Sequence, residues 1–558
     1  MKRSPLRLHN YCLGLLCLIA VTITVRAQVP DAAKVIAAAD KVVATAAAKV
    51  GAAPGCAVGV SLDGKSVYEK AFGLAELEHA IPNTAQTIFE SGSVAKQFTA
   101  ASIVLLSLEG KLKLDDPVKK YITELPDYGA PLTIRHLLNH TGGVRDWTPV
   151  LALTGYARGR RMISQDLAMD VIVHQRGLDF TPGAEYSYSN SGYTLLATIV
   201  ERVSKQTLPV FTAERFFKSL DMTHTTWRDD YRRIVPGRAQ AYEQQRNGPW
   251  LLDMPFMNAY GNGGMLTTVG DWLKWNAMLE SRSMGAPLVD AMETTGVLND
   301  GQKFSYALGL VVNSYREHRQ VAHGGSTAGY QTYLARYPDL KMSIAVMCNY
   351  GSANPVALAH GVVDGIIGPA PAPPQTETVE MSAADLQKYA SLWRNEKTHM
   401  PMRTVVENDA IRVVGGPLLR ATRDGSFAPP TGPARLKFEA GSGGKPVTVT
   451  RTAPEVEERY IAEPAWSPTP EELKAFAGTW HSDEADATFT FAVEGDQAFF
   501  VQRPATRVPL KPQFKDHFTG PNETGQVIWF TRGGNVLTLH VGESRMRDMP
   551  FTRVDTRK

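Results

Sequence analysis

The sequence predicts an α/β (α+β) fold: an antiparallel sheet flanked by helices plus an all-helical region, followed by two small antiparallel β-barrels. Three observations lead to this prediction. In the first 368 residues, strand-like segments at both ends enclose a mainly helical middle, so N- and C-terminal segments share one sheet. A proline-rich stretch follows, and the rest of the chain contains an internal repeat. The length of 558 residues agrees with several domains, since one domain has ~150.

The segment 28–368 is the first predicted domain. An alanine-rich helix over residues 31–50 precedes two strand-like segments within residues 57–71, which are joined at Asp63-Gly64, a strong hairpin signal. From about residue 87 to residue 275 the spacing of apolar residues is mainly helical. Strand-like segments then return at residues 307–312, 330–337 and 342–348.

The repeat lies in the residues after 368. Residues 369–378 are rich in proline and predict a stiff linker. The segments that begin at Ser382 and Thr469, offset by 87 residues, both give a helix-capping pattern and one helical turn. Each copy continues into short strand-like segments. This predicts two small lipocalin-like barrels, at residues 379–465 and 466–558.

The N-terminal 27 residues are typical of a secretory signal peptide. Three basic residues precede an apolar run over residues 11–25, and cleavage is expected near Ala27/Gln28. The run is short for a membrane-spanning helix, which needs ~20 residues, so an uncleaved anchor is the weaker alternative. We therefore expect a periplasmic or secreted protein with no stable membrane insertion after cleavage.

Composition and charge exclude other classes of function. Hydrophobic residues at 43% and charged residues at 21% are those of an ordinary folded protein. Loss of the four positive charges of residues 1–27 changes the formal net charge from +3 to −1. So small a charge gives no basic field, and we expect no nucleic-acid partner.

The cysteines give no sign of a metal site. Cys12 and Cys17 leave with the signal peptide, so only Cys56 and Cys348 remain. Both lie in apolar strand-like segments, and we expect two buried thiols rather than a disulfide. Two distant cysteines cannot form a zinc framework, and the sequence has no His-Glu-x-x-His pattern. We expect neither a metal nor another cofactor.

Ser93-Val-Ala-Lys96 is the first motif that carries chemistry. Positions three apart on a helix share one face, so the Lys96 amine can approach the Ser93 hydroxyl and activate it as a nucleophile. Such a pair is common by chance. It becomes informative only with partners elsewhere in the sequence.

A tyrosine-rich loop supplies the second motif, Tyr188-Ser-Asn190. A tyrosine phenolate close to a lysine ammonium can serve as a general base, because the neighbouring cation lowers the pKa of the phenol. Tyr186 competes for this role, but only Tyr188 is followed by an asparagine two residues later.

The third motif, His323-Gly324-Gly325-Ser326, stands at the end of a predicted strand. The glycines let a substrate backbone lie against the strand edge, and the Ser326 amide can point at an oxyanion. Spacings of 95 residues from Ser93 to Tyr188 and 135 residues from there to His323 complete the pattern. The three motifs together are far more specific than any one.

With these motifs in this order, residues 31–365 resemble the serine β-lactamase and penicillin-recognising peptidase superfamily, in its class C β-lactamase, DD-peptidase and esterase branch. The resemblance implies a penicillin-recognising fold with Ser93 as acyl-enzyme nucleophile and Lys96 as its activating neighbour. It implies Tyr188 as base and leaving-group acid. Asn190 is implied as a ligand of the substrate amide, and the amides of Ser93 and Ser326 as the oxyanion hole.

One motif departs from this pattern. Many β-lactamases of the superfamily have Lys-Thr-Gly where this sequence has His323-Gly324-Gly325, so a group mostly neutral at pH 7 replaces a permanent cation. Recognition of a substrate carboxylate at this position should weaken. Peptide, amide or ester substrates are favoured over β-lactams.

The two predicted barrels make the architecture similar to that of bacterial D-aminopeptidase. That resemblance implies that a loop of the last barrel reaches the active site and favours a substrate ammonium. Judged by position, this loop matches residues 512–523, in which Asp516 or Glu523 could hold the ammonium. An ordinary exposed loop is the alternative.

We therefore expect a serine hydrolase that acts on a small peptide, amide or ester, first of all as a D-stereospecific peptidase or amidase. A carboxylesterase or a DD-peptidase with the same residues is the alternative within the family. A non-catalytic protein that binds a cell-wall or other ligand is the alternative of another class. The barrels could also serve only to form a homodimer.

Overall fold

The computed structural model describes residues 29–155, 161–246, 248–369, 371–441, 445–453, 456–520 and 525–554. The predicted signal peptide, residues 1–27, lies outside this part of the chain. Within it, no helix has the length and apolar character needed to cross a membrane.

An antiparallel sheet is the centre of the first domain. The strands of this domain are β1 (Cys56–Leu62), β2 (Lys65–Phe72), β3 (Leu74–Glu76), β4 (Ile81–Pro82), β5 (Phe89–Glu90), β6 (Thr226–Trp227), β7 (Tyr242–Gln244), β8 (Trp250–Leu252), β9 (Met265–Thr267), β10 (Val311–Tyr315), β11 (His318–Thr327), β12 (Tyr330–Tyr337) and β13 (Met342–Cys348). Six of them form the main sheet in the order β10-β11-β12-β13-β1-β2. The prediction that both ends of the domain share one sheet is confirmed.

Helices cover both faces of this sheet. They are α1 (Ala32–Val50), α2 (Lys96–Leu108), α3 (Ile134–Leu138), α4 (Trp147–Ala152), α5 (Gln165–Val173), α6 (Asn190–Ser204), α7 (Leu208–Thr212), α8 (Val269–Ser281), α9 (Ala286–Glu293) and α10 (Pro355–Ile367). The apolar faces of α1 and α10 pack on one side of the sheet through Val35, Ala39, Val362 and Val363. The other side packs against α8 and the helical region that contains α2 and α6.

Cys56 and Cys348 form a disulfide, so the expectation of two free thiols is wrong. The two residues lie directly opposite each other in the antiparallel pair of β1 and β13, with 4.0 Å between their Cα atoms. The strand pattern predicted each segment correctly. It did not show that two segments 292 residues apart are neighbours in this register.

Two closed eight-stranded barrels follow, as the repeat predicts. The first has helix α11 (Ala383–Leu386) and strands β14 (Ser391–Asn395), β15 (Pro401–Glu407), β16 (Ala410–Val413), β17 (Leu418–Ala421), β18 (Ser426–Ala428), β19 (Arg435–Ala440), β20 (Pro446–Ala453) and β21 (Val456–Ala462). The second has helix α12 (Pro470–Lys474) and strands β22 (Gly478–Ser482), β23 (Ala487–Glu494), β24 (Gln497–Gln502), β25 (Thr506–Pro512), β26 (His517–Thr519), β27 (Val527–Gly533), β28 (Val536–Glu543) and β29 (Met546–Arg553). In each barrel the last strand pairs with the first.

Candidate active site

Ser93 lies in a tight turn between β5 and α2 and borders a cavity of about 770 Å³. Gly92 precedes it with a φ of 51°, in the left-handed region. A Cβ at Gly92 would stand 2.5 Å from the amide nitrogen of Ser326, so only glycine lets this turn approach β11 so closely. The sequence thus sets the Ser326 amide against the nucleophile turn, as the predicted oxyanion hole requires.

Lys96 begins α2 and is completely buried behind Ser93. Its Nζ lies within hydrogen-bond distance of three oxygens: Ser93 Oγ at 3.1 Å, Asn190 Oδ1 at 2.9 Å and the carbonyl oxygen of Asn262 at 2.6 Å. The structure therefore brings together the lysine, the serine and the asparagine that the motifs predict. Asn262 contributes through its backbone, which no side-chain pattern in the sequence could reveal.

Burial lowers the pKa of Lys96 well below its ordinary value. The negative charge of Asp146 opposes this change, and the positive charge of Arg545 adds to it. A larger share of the amine is therefore neutral near pH 7, and a neutral amine can accept the proton of Ser93.

Tyr188 is the tyrosine that reaches the site. Its ring lies 4.8 Å from Lys96 Nζ and borders the cavity, whereas Tyr186 is 38% exposed and does not border it. Burial raises the pKa of Tyr188, although a hydrogen bond with Ser93 acts in the opposite direction. The expected lowering of this pKa by a cation does act, through the charge of Arg545, but burial outweighs it and the net direction is upward. The resting phenol keeps its proton and can donate it.

His140 supports Tyr188 from behind. The two rings pack with their centroids 4.2 Å apart, and His140 Nδ1 accepts a hydrogen bond from the Ser189 amide. Burial lowers the pKa of His140 well below its ordinary value, so this imidazole is neutral. Its role is to hold the tyrosine in place.

Asp146 is a site residue that sequence analysis missed. Both the backbone amide and the side-chain Nδ2 of Asn190 donate to Asp146 Oδ2, at 3.1 and 2.9 Å. The other oxygen, Oδ1, accepts from the amide and the hydroxyl of Thr148 and caps α4. Asn190 thus lies between Lys96 and Asp146, which fixes its amide orientation. An aspartate that begins a helix is common, so the sequence alone does not mark this one.

The strand that carries His323 has one free edge at the cavity. The pairing of β11 with β10 ends at Ala322, while its pairing with β12 continues to Thr327. A Cβ added at Gly324 would meet no atom closer than 3.9 Å, so close packing does not require a glycine at this position. Gly325 does have to be glycine, because a Cβ there would stand 2.0 Å from the carbonyl oxygen of Ser91.

His323 itself is buried and neutral. Burial and the nearby charge of Lys96 lower its pKa to about 4. Its Nε2 lies 3.1 Å from the hydroxyl of Tyr306, and its Nδ1 lies 2.6 Å from the carbonyl oxygen of Gly324. The histidine therefore supplies no cation for a substrate carboxylate at pH 7, which agrees with the interpretation of the His-Gly-Gly motif.

The second barrel reaches the cavity, but with a different segment from the one expected. The two-residue turn Ser544-Arg545, between β28 and β29, places Arg545 at the cavity wall. Asp516 is not among the described lining residues, and its carboxylate pairs with Arg532. Successive turns of an up-and-down barrel alternate between its two ends, which puts Asp516 and Arg545 at opposite ends. Glu523 lies outside the described residues.

Comparison with known proteins agrees with this site. Residues 40–368 match the family model described as Beta-lactamase. The chain is 29% identical over 308 residues to Penicillin-binding protein 4* of Bacillus subtilis (51% of this chain, 66% of that protein). It is 28% identical over 329 residues to a D-aminopeptidase of Brucella canis (58% and 61%). The chain spans less than two thirds of the length of these relatives.

Solved structures share the architecture beyond the first domain. The octameric penicillin-binding protein homologue from Pyrococcus abyssi superimposes with a TM-score of 0.53 at 20% identity, over 93% of this chain and 100% of that one. The fold and the site define the class of proteins with the penicillin-recognising fold. The match covers more than half of the residues, and the chain belongs to the Beta-lactamase family.

Proposed function

We propose that the protein is a serine hydrolase that cleaves amide bonds in substrates containing D-amino acids, through an acyl-enzyme on Ser93. The observation that carries the proposal is the contact of 3.1 Å between Ser93 Oγ and the buried amine of Lys96, at the wall of a large cavity. The relative named D-aminopeptidase supports the choice of D-amino acids. A DD-peptidase or a carboxylesterase would use the same residues.

Acylation follows from the pKa values of the two neighbours of Ser93. Ser93 Oγ bonds to the substrate carbonyl carbon while its proton passes to the neutral amine of Lys96. The amides of Ser93 and Ser326 donate to the oxyanion. The carbon–nitrogen bond then breaks as Tyr188 gives its proton to the leaving nitrogen and takes one back from Lys96.

Deacylation uses the same groups in reverse. A water molecule attacks the ester carbon, its proton passes through Tyr188 to Lys96, and Ser93 recovers a proton as the acid leaves. Because Lys96 must be neutral to accept the first proton, the rate should fall at acidic pH. His323 keeps its uncharged form above about pH 4, so it does not cause that fall.

We propose that the protein is exported. Disulfides persist in oxidising compartments, so the pair Cys56–Cys348 supports a periplasmic or extracellular location. The basic and apolar pattern of residues 1–27 points the same way. N-terminal sequencing of the mature protein from a native host tests this proposal.

The Ser93→Ala variant tests the proposed activity. Hydrolysis of N-acetyl-D-alanine p-nitroanilide should fall at least about 1,000-fold, because the nucleophile is lost. Ser283→Ala removes a hydroxyl from an exposed serine and should change nothing. A fluorophosphonate should add its mass to Ser93 in the wild-type protein. Hydrolysis that survives in Ser93→Ala at the wild-type rate would overturn the proposal.

Substrate pairs distinguish the alternatives. The L-enantiomer of the anilide should react more slowly than the D-enantiomer. Turnover of p-nitrophenyl butyrate that exceeds turnover of every D-amino-acid amide would favour the carboxylesterase instead.

A further inference from the structure

Arg545 is a cation at the active-site cavity that the mechanism does not use. Its side chain is 45% exposed and comes from the second barrel, not from the domain that holds Ser93. Its guanidinium group lies 3.7 Å from Asp146 Oδ2 and 5.0 Å from the centre of the Tyr188 ring. It donates no hydrogen bond to another described side chain. Most of its N–H groups are therefore available to a ligand.

The position of Arg545 is fixed by the backbone. The Asp146 amide donates a hydrogen bond of 2.9 Å to the Arg545 carbonyl oxygen. Two residues further along, the amide of Arg547 donates to Asp179 Oδ1 at 2.9 Å. The side chain of Arg547 forms an ion pair with Glu185. The backbone of the turn is held on both sides, so Arg545 stands at the cavity wall independently of the charge contacts of its guanidinium group.

The carboxylates at this site are already satisfied. Asp146, behind the wall, accepts the four hydrogen bonds described above. Glu90 is the one carboxylate among the described lining residues, and it is held by the two arginines Arg228 and Arg238. Arg228 Nη1 is buried without a partner. The charge balance therefore favours a bound anion and offers no free carboxylate for an ammonium.

The link between Arg545 and Asn190 also indicates which half of a substrate Arg545 would contact. Asp146 connects it to Asn190, which the resemblance implies as a ligand of the substrate amide. In an N-acylated D-amino-acid amide, the amide that is not cleaved lies on the acyl side of the scissile bond. The neutral His323 belongs to a different motif, His-Gly-Gly on β11, and is not part of this connection. An anion held by Arg545 would belong to the part of the substrate that stays on Ser93.

We propose that Arg545 forms a carboxylate subsite, and that the preferred substrates carry a negative charge in their acyl half. This inference rests on the proposed Ser93 hydrolase and gives its substrate class. It replaces the ammonium expected from the architecture with the opposite charge. A guanidinium group suits the task, because it binds a carboxylate through two parallel hydrogen bonds.

Three anilides that differ in one group test the subsite: N-succinyl-, N-acetyl- and unmodified D-alanine p-nitroanilide. In the wild-type protein, kcat/KM should decrease in that order. Arg545→Ala should lower the ratio of kcat/KM for the succinyl substrate to that for the acetyl substrate roughly 10- to 100-fold, the range of a lost charge-assisted hydrogen bond. The ratio is the readout because loss of the Arg545 charge also acts on Lys96 and Tyr188, and that change affects both substrates alike. Arg545→Lys should retain part of the preference, and Arg545→Glu should favour the free amine.

Arg423→Ala is the matched control, because it removes the same charge from an exposed site on the first barrel. It should leave all three rates unchanged. A wild-type preference for the free amine, or equal losses for all substrates in Arg545→Ala, would overturn the subsite while leaving the Ser93 hydrolase intact. The Ser93→Ala variant tests the proposed hydrolase separately, because its hydrolysis should be lost for all three substrates.

Discussion

The two barrels share a repeat and a topology, but they meet the first domain differently. The second barrel docks through polar contacts at one end, one of them partly buried: Glu484 accepts from Arg145 Nη1 and from the Arg176 amide, both at 2.8 Å. The first barrel makes an exposed ion pair of 3.0 Å between Lys397 and Glu185. Only the second barrel supplies a residue to the described cavity wall.

Their apolar cores differ in the same way. Buried residues of the second barrel, such as Phe489 and Met549, belong to one continuous cluster with the core of the first domain. The first barrel has a separate cluster around Trp393 and Ile411. The two barrels therefore have the same fold but different roles. One copy became part of the active site, and the other contacts the assembly at its edge.

Breaking the docked end of the second barrel should have the largest effect. Arg145 is 7% exposed and lies between Glu484 and Asp179. Arg145→Ala removes the cation that lies between these two carboxylates and leaves each with a backbone amide donor, so the free energy of unfolding should fall by about 3 kcal/mol, the lower end for a broken buried pair. Urea denaturation followed by tryptophan fluorescence measures it. The preference for succinyl substrates should weaken too, because the Arg545 turn loses its support.

Glu484→Ala and the double variant complete a thermodynamic cycle for this contact. A coupling energy near zero would show that the second barrel is held by its apolar contacts alone. The comparison between the barrels would then rest on their cores and not on these ion pairs.

Acid should weaken the junction between the barrels next. His399 of the first barrel lies 3.1 Å from His517 of the second, ring nitrogen to ring nitrogen, and stacks on Trp529. Burial and the neighbouring charge of His517 lower the pKa of His399 to about 4, and burial lowers that of His517. In the unfolded chain these histidines have a pKa near 6.5, so between pH 4 and pH 6.5 the unfolded state binds more protons than the folded state. Stability present above pH 6.5 is therefore lost as pH falls towards 4.

His399→Gln should flatten this dependence. Between pH 7 and pH 5 the wild-type protein should lose about 1 kcal/mol more stability than the variant, after allowance for partial exposure. Urea midpoints at several pH values measure the difference. His174→Gln, on the surface of the first domain, is the control and should keep the wild-type slope. If the stability of wild type and of His399→Gln depended on pH in the same way, His399 would not be the source of the acid sensitivity.

Local patterns predicted much of this molecule. The strands 330–337 and 342–348 coincide with β12 and β13, and the Ser93 and Tyr188 motifs meet at one cavity. One strand is displaced: 307–312 was expected, but β10 starts at Val311, because the Ala307 amide bonds to the Leu310 carbonyl in a turn. Alternation of apolar and polar residues, helix capping and motif spacing are properties of short segments. The structures they predict are therefore kept in the folded protein.

Contacts between distant segments were not predictable. The disulfide depends on the register of β1 against β13. Asp146 looks like any helix-capping residue, and Arg545 occupies an ordinary hairpin turn with no motif. Each acquires its role from the packing of one element on another. Such packing needs the three-dimensional arrangement, since sequence spacing carries no information about which barrel end faces the first domain.

Removing the exposed contact of the first barrel should have a small effect. Lys397 is 59% exposed, so Lys397→Ala should cost 0 to about 1 kcal/mol and leave kcat/KM unchanged. Thermal unfolding and the anilide assay measure both quantities. A loss comparable to that of Arg145→Ala would mean that the first barrel is also an integral part of the active-site assembly.

The smallest effect is expected at the loop that sequence position first suggested for substrate binding. Asp516 pairs with Arg532 at the end of the second barrel away from Arg545. Asp516→Asn should therefore leave kcat/KM unchanged for the succinyl, acetyl and free-amine anilides alike. If it lowered the rate for the free amine alone, Asp516 would have to reach the substrate ammonium, and the assignment of the two barrel ends would be reversed. Equal rates beside a selective loss in Arg545→Ala would locate substrate selection in a single turn of the second barrel.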